Sequence, residues 1–273
     1  MTVIDFRARP NTPEYMSMYP PGYPFFDLVP GHDNPGSRTL EEFVAALDRH
    51  GIDRAVFTGR QTVEDGEIVR GIPNDYVADC VEQYPDRLIG FAGIDCEADI
   101  MAATAEIERS IETLGLSGVS LDPTHANDRR HYPLYAKAAE LDVPVVITMG
   151  PNVGTLGESQ NPARIDTIAT DFPDLTIVCS HAAWPRPTEF VALAYRRPNV
   201  YIDGSIYQYF PGAEPFVAAA EDLIREKVLY ASAFPFNPLD SIERFRDLPL
   251  SDEALEVITS QNAARVLGLD LDE

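Results

Sequence analysis

The residues of this chain with the clearest chemical character stand at the ends of short apolar runs. The first run, Val3-Ile4-Asp5-Phe6-Arg7-Ala8-Arg9-Pro10, reads as a buried strand that finishes with two arginines. Alternate strand residues face the same side, so Asp5, Arg7 and Arg9 share one face and Ile4, Phe6 and Ala8 the other. Two guanidiniums at a strand end suit a site that grips an anion; a local surface salt bridge is the plainer alternative. His181 follows the run Leu175 to Ser180 and precedes Ala182-Ala183-Trp184, which puts it on the floor or wall of a site. The other runs end in Arg60, Asp95, Asp122, Thr148, Asp203 and Ser232-Ala233. Asp122 before Pro123 and Asp203 before Gly204 also fit as turn residues, and Arg60 as a solvated charge.

Positioning such a ring takes a repeating scaffold. Thr39 to His50 carries Leu40, Phe43, Val44 and Leu47 at helical spacing, with Thr39 and Glu42 placed for a capping box and Gly51 as the stop. The strand Ala55–Thr58 follows. The alternation continues through strands at 88–94, 118–121, 143–148, 175–180, 200–203 and 228–231. Helices are expected at 74–84, 99–114, 132–141, 162–171, 188–196 and 213–224, and a final helical section at 239–267. Near-continuous apolar strands imply a parallel sheet buried on both faces. Eight strand–helix units in 273 residues imply one closed (β/α)8 barrel spanning 1–273, with its active site at the C-terminal strand ends. No Gly-rich phosphate loop supports a dinucleotide-binding sheet.

A long segment after the first strand, Asn11 to Arg38, mixes six prolines with Tyr15, Met16, Met18, Tyr19, Tyr23, Phe25 and Phe26. Prolines preclude regular structure there, and the aromatics argue for an ordered loop. It reads as a lid over the site, a cover for the barrel bottom or a dimer interface.

The formal net charge of -23 argues against nucleic acid and anionic membranes as partners. Only Lys137 and Lys227 are lysines, so arginine carries nearly all the basic charge. Cys80, Cys96 and Cys179 form no metal-ligand spacing among themselves and no disulfide framework. With no basic-then-apolar leader and no spanning apolar stretch, a reducing cytoplasm is the expected location.

Several stretches resemble the amidohydrolase-related barrels, which include aminocarboxymuconate semialdehyde decarboxylase, the resorcylate-type decarboxylases and the pyrone dicarboxylate lactonases. They are Gly51-Ile52-Asp53-Arg54-Ala55-Val56, Tyr84-Pro85-Asp86-Arg87-Leu88-Ile89-Gly90-Phe91, Phe172-Pro173-Asp174-Leu175, Pro198-Asn199-Val200-Tyr201 and Asn262-Ala263-Ala264-Arg265-Val266-Leu267-Gly268. The resemblance implies metal ligands at several strand ends. Here Arg7 and Arg9 stand at the two first-strand histidine positions, Thr148 at the fifth-strand histidine and Ala233 at the eighth-strand aspartate. Of that set only His181 is retained. One imidazole cannot hold a divalent ion, and arginine stays protonated and cannot ligate one. At about 4 Å and an effective dielectric of 20, each guanidinium would oppose a dication by roughly 8 kcal/mol. The expectation is therefore no catalytic metal and no cofactor.

The resulting hypothesis is a metal-independent hydrolase of a small carboxylated lactone or similar ring. His181 would serve as general base and Arg7 and Arg9 as carboxylate and oxyanion grip, with Asp122 or Asp203 orienting groups or relaying protons. Arg60, Arg129, Arg130, Thr148, Asn152 and Trp184 would bind the anionic substrate or shape the pocket. The same residues would also serve a decarboxylase, isomerase or hydratase of an unsaturated carboxylic acid. A non-catalytic carboxylate-binding barrel is the reading from another class. A homodimer fits any of the three.

Overall fold

A computed structural model describes residues 2–19, 36–151 and 160–271. The strands in chain order are β1 (Ile4–Asp5), β2 (Arg54–Thr58), β3 (Gln61–Glu64), β4 (Glu67–Gly71), β5 (Leu88–Ile94), β6 (Val119–Leu121), β7 (Val145–Thr148), β8 (Ile177–Ser180), β9 (Val200–Asp203) and β10 (Val228–Leu229). Eight of them form one sheet in the order β1-β2-β5-β6-β7-β8-β9-β10, parallel throughout. The sheet curls until its ends meet. The Phe6 amide donates to the Tyr230 carbonyl at 2.9 Å, and Ala8 bridges in parallel to Phe234. This is the expected barrel.

Its core has two layers because successive strand residues point to opposite faces. Ile4, Phe6, Val56, Phe91, Val146, Val178 and Leu229 fill the barrel interior. Their neighbours Phe57, Ile147 and Cys179 pack outward against the helices. Phe6 and Phe91 meet edge to face at 5.8 Å inside the barrel. Phe91→Ala would open a void there and cost about 3–5 kcal/mol.

The helices are α1 (Pro13–Met16), α2 (Leu40–Arg49), α3 (Asn74–Gln83), α4 (Ile100–Glu108), α5 (Tyr132–Glu140), α6 (Pro162–Asp171), α7 (Pro187–Arg196), α8 (Glu214–Ala220), α9 (Ser241–Arg246), α10 (Asp252–Glu256) and α11 (Asn262–Leu267). In α2 both halves of the capping box form: Thr39 Oγ1 accepts from the Glu42 amide, and Glu42 Oε2 accepts from the Thr39 amide. Phe43, Val44 and Leu47 are the buried face of α2.

Three expectations change. The last section divides into α9 and a continuous run over 252–267, in which a wider turn over Val257–Gln261 joins α10 to α11, and the helix at 99–114 ends in a similar wider turn over Arg109–Thr113. Gln61–Gly71, unassigned from sequence, is the antiparallel hairpin β3–β4, turning at Asp65 and Gly66 with φ of 52° and 82°. Finally, β1 is only two residues long. Asp5 Oδ1 accepts the Arg7 amide at 3.1 Å, a local side-chain turn that breaks the strand alternation. Ala8 therefore joins the outer layer while Ile4 and Phe6 stay inside.

Candidate active site

The pocket opens at the C-terminal ends of the strands. The turn at Asp5 sends Arg7 across the barrel mouth, where Nη2 donates to Thr148 Oγ1 at 2.9 Å. Arg7 is 6% exposed, and neither Nε nor Nη1 has an acceptor among the described residues. Burial, then the charge of Arg9, pushes the Arg7 pKa down to about 10. It remains a cation at neutral pH, in a place where a cation is costly unless an anion joins it. Arg9 is better held. Its Nε donates to Thr58 Oγ1 at 3.1 Å, Nη1 donates to the Phe234 carbonyl at 3.3 Å, and the guanidinium lies 5.9 Å from the Phe236 ring centre.

His181 sits opposite, one residue past β8, with a left-handed φ of 69°. Its amide donates to Asp203 Oδ1 at 3.2 Å, and that oxygen also accepts from the Ser205 hydroxyl. A non-glycine residue in this conformation costs of order 1–3 kcal/mol and persists only where the surroundings hold it. Asp203 is the holder, and its own pKa is raised by burial. The His181 ring meets Tyr207 edge-on at 5.2 Å. Gly150 makes room for it: a β-carbon there would lie 3.0 Å from His181 Cβ. Burial first, then Arg7, Arg9 and Arg60, hold the imidazole well below its ordinary pKa, so it is neutral at pH 7. Nδ1 makes no hydrogen bond.

Asp122 and Arg60 pair across the rim at 2.8 Å. Burial works against the Asp122 carboxylate, but Arg60, Arg7 and Thr148 outweigh it and keep its pKa below the usual value. Asp122 is therefore an ionised partner of the arginines, not a proton donor.

Arg7, Arg9, Arg60, Asp122, Thr148 and His181 all line one pocket. Asp203 does not line it and acts through the His181 backbone. Trp184 stands one ring back, stacked on Tyr207 at 6.2 Å. Arg129 and Arg130 are not brought to the pocket. Arg130 pairs with Asp128 at 2.8 Å and its side chain is 73% exposed, while Arg129 lies over the Tyr132 ring. Asp95 is spent on the amides of Val63 and Glu97. Asn152 lies outside the described residues.

Sequence reasoning passed over the pocket residues Tyr15 and Tyr19. Thr12 caps α1, and one turn on the two phenols meet at 2.9 Å, with Tyr15 edge-on to Phe57 and Tyr19 to Phe236. The i, i+4 spacing of these two aromatics was the available signal. This described part of the Asn11–Arg38 segment thus packs at the pocket, while 20–35 lie outside the described residues.

The donor set does not fit a pocket metal. The Arg7 guanidinium bridges from the first barrel strand to Thr148 on the fifth, where the resemblance puts ligands. Asp122 is committed to Arg60. Arg7, Arg9 and Arg60 are the charges that act most on the His181 ring, and all three would oppose a cation beside it. No step below runs through a metal in this pocket.

A parallel barrel with a charged, strand-end pocket defines a TIM-barrel enzyme scaffold. The amidohydrolase family profile matches residues 16–269, and the chain belongs to that family. A 2-keto-4-carboxy-3-hexenedioate hydratase of Sphingobium sp. is 26% identical, over 81% of this chain and 80% of the relative. An uncharacterised TIM-barrel protein of Bordetella bronchiseptica superposes with a TM-score of 0.86 at 32% identity, covering 98% of this chain and 99% of its own. A 2,6-dihydroxybenzoate decarboxylase from Rhizobium, at 18% identity and a TM-score of 0.73 over the full length of both chains, shares the fold. Among the described residues no helix is long and apolar enough to cross a membrane.

Proposed function

We propose that this protein adds water to, or removes it from, a small unsaturated oxo acid bearing more than one carboxylate, with no metal ion in the pocket. The observation that carries the reading is the buried Arg7 guanidinium with two unaccepted nitrogens, facing a neutral His181. A buried cation with free N–H groups calls for substrate oxygens. A neutral imidazole calls for a proton to move.

In the hydration direction a substrate carboxylate binds Arg7, and the conjugated carbonyl oxygen lies toward Arg9. His181 takes a proton from water as its oxygen bonds to the β-carbon. The electron pair of the double bond moves onto the carbonyl oxygen as an enolate, which the guanidiniums stabilise. His181 then returns the proton to the α-carbon. Atoms and charge balance, and the imidazole ends neutral. That the Sphingobium relative is a hydratase supports this reading over lactone opening, although lactone opening would use the same base and the same oxyanion grip.

The test is a panel of unsaturated 2-oxo dicarboxylates and tricarboxylates, carboxylated lactones and hydroxybenzoates, run in D2O with chelator present. Hydration bleaches the conjugated chromophore and leaves one C–D bond beside the carbonyl. Lactone opening adds water without C–D formation, and decarboxylation releases carbon dioxide. Turnover confined to either of the last two classes overturns the proposal.

A further inference from the structure

Outside the pocket, the loops after β5 and β6 bring together a thiol, a carboxylate and an imidazole. Cys96, Glu97 and His131 each offer one ligand atom, and these atoms lie within 4.8 Å of one another. His131 is 1% exposed, and among the described residues neither ring nitrogen makes a hydrogen bond. Its Nε2 points at Glu97 Oε1 from 3.6 Å, too far for a hydrogen bond. Burial, the largest influence, keeps this imidazole neutral despite Glu97 and Asp128. In its neutral form the imidazole keeps a lone pair on one ring nitrogen, available to a cation. At zinc–nitrogen and zinc–oxygen bonds of about 2.0–2.2 Å, tetrahedral geometry separates such ligand atoms by roughly 3.3–3.6 Å, which is the spacing found. Cys96 is buried, with Asp122, Glu97 and Asp95 as its charged surroundings.

We propose that Cys96, Glu97 and His131 form a zinc site that ties the β5–α4 loop to the β6–α5 loop, separate from the reaction pocket. Thiolate, carboxylate and neutral imidazole are zinc's own ligand types, and three of them leave a fourth position for water. Binding replaces the Cys96 S–H bond with an S–Zn bond, and the proton goes to solvent. Glu97 Oε2 stays with Arg130, at 3.7 Å, while Oε1 turns to the metal. Asp122, the partner of Arg60, is among the charges that act on Cys96, so the ion would brace that rim and not activate water in the pocket.

The experiment is a titration of the full, chelator-stripped chain with Co2+ under reducing conditions, followed by displacement with Zn2+. One equivalent should bind with a thiolate-to-cobalt charge-transfer band that zinc abolishes. The band should vanish in Cys96→Ser and persist in Cys179→Ser and in Arg7→Met. Glu97→Gln, on an exposed side chain, should keep the band and weaken cobalt binding at least tenfold, a readout that stands even if Cys96→Ser fails to fold. Absence of the band in the parent chain, its persistence in Cys96→Ser, its loss in Arg7→Met, or unchanged affinity in Glu97→Gln each overturns the site.

Discussion

Two parts of the barrel mouth use the same residue types to opposite ends. On the rim over β5 and β6, each arginine has a carboxylate partner: Arg60 holds Asp122 Oδ2 at 2.8 Å, and Arg130 holds Asp128 at 2.8 Å. On the floor formed by β1, β7 and β8, Arg7 has only a threonine hydroxyl, and His181 has no carboxylate against its ring nitrogens. Solvent screens both rim pairs, which therefore add little to stability. An unsatisfied buried N–H costs about 1–3 kcal/mol, so the floor is held at a loss that a ligand would recover. Residue type does not separate structural from chemical arginines; pairing does.

The sharpest test of that contrast is the floor base. His181→Gln should lower kcat by about 10²–10⁴, the usual reach of general acid–base catalysis, while ligand affinity falls little. The pH profile should follow. Because Arg7, Arg9 and Arg60 oppose its protonation, kcat/KM should stay flat through pH 6.5 and fall only well below it. An inflection near 6.5 in free-enzyme kinetics, or by NMR of the imidazole, would mean the floor is not the cationic pocket described.

Next in size is Arg7→Met. Loss of one buried oxyanion donor is expected to cost about 10²–10³ in kcat/KM. Thermal stability should hold or rise, because an unpaired buried charge is removed along with its burial cost. Arg7→Lys should not restore activity, since a single ammonium lacks the spread of the guanidinium. If Arg7→Met lowers the melting temperature and leaves kcat/KM unchanged, the residue belongs with the structural pairs.

A third effect concerns the turn that aims Arg7. Asp5 is wholly buried; its Oδ1 accepts the amides of Arg7 and Ser232, and Oδ2 has no partner. Burial raises its pKa to about 6. The folded state thus holds this proton more tightly than the unfolded chain, so the stabilisation is present below about pH 4 and is lost as pH rises through 6. Asp5→Asn keeps the acceptor and deletes the titration. Compared with the parent, the variant should gain about 3 kcal/mol of unfolding free energy between pH 4 and pH 7.5. Parallel denaturant curves at the two pH values would refute it.

How far such contrasts could be read from sequence follows the same physics. The barrel was legible because each strand is an apolar run and each helix carries its period and caps, as in Val145–Thr148 and Thr39–Arg49. The β3–β4 hairpin was not, because both its strands lie at the surface and only Asp65-Gly66 marks the turn. For the site, chemical type and strand-end position picked out Arg7, Arg9, Thr148, Asp122 and His181, which do share a pocket. What stayed hidden was partnership. Nothing in Asp128-Arg129-Arg130-His131 says that Arg130 folds back on its own neighbour. Nothing in a proline-rich segment says that Tyr15 and Tyr19 stand beside Arg9.

The smallest effect is the one that closes the comparison from the rim side. Arg130 is a solvent-exposed cation whose hydrogen bonds to Asp128 span two residues of a single turn. Removing it takes no donor from the pocket and leaves no charge buried, because Asp128 is itself solvated. Arg130→Ala should therefore change kcat/KM less than about twofold and leave the denaturant midpoint where it is in the parent. Arg60→Ala should sit between rim and floor. Its partner Asp122 is the better buried of the pair, and losing the guanidinium that holds it ionised should raise the Asp122 pKa and KM for an anionic substrate by about tenfold while sparing kcat. If Arg130→Ala cost as much as Arg60→Ala, the rim loop would be gripping substrate directly, and the division between paired rim and unpaired floor would fail.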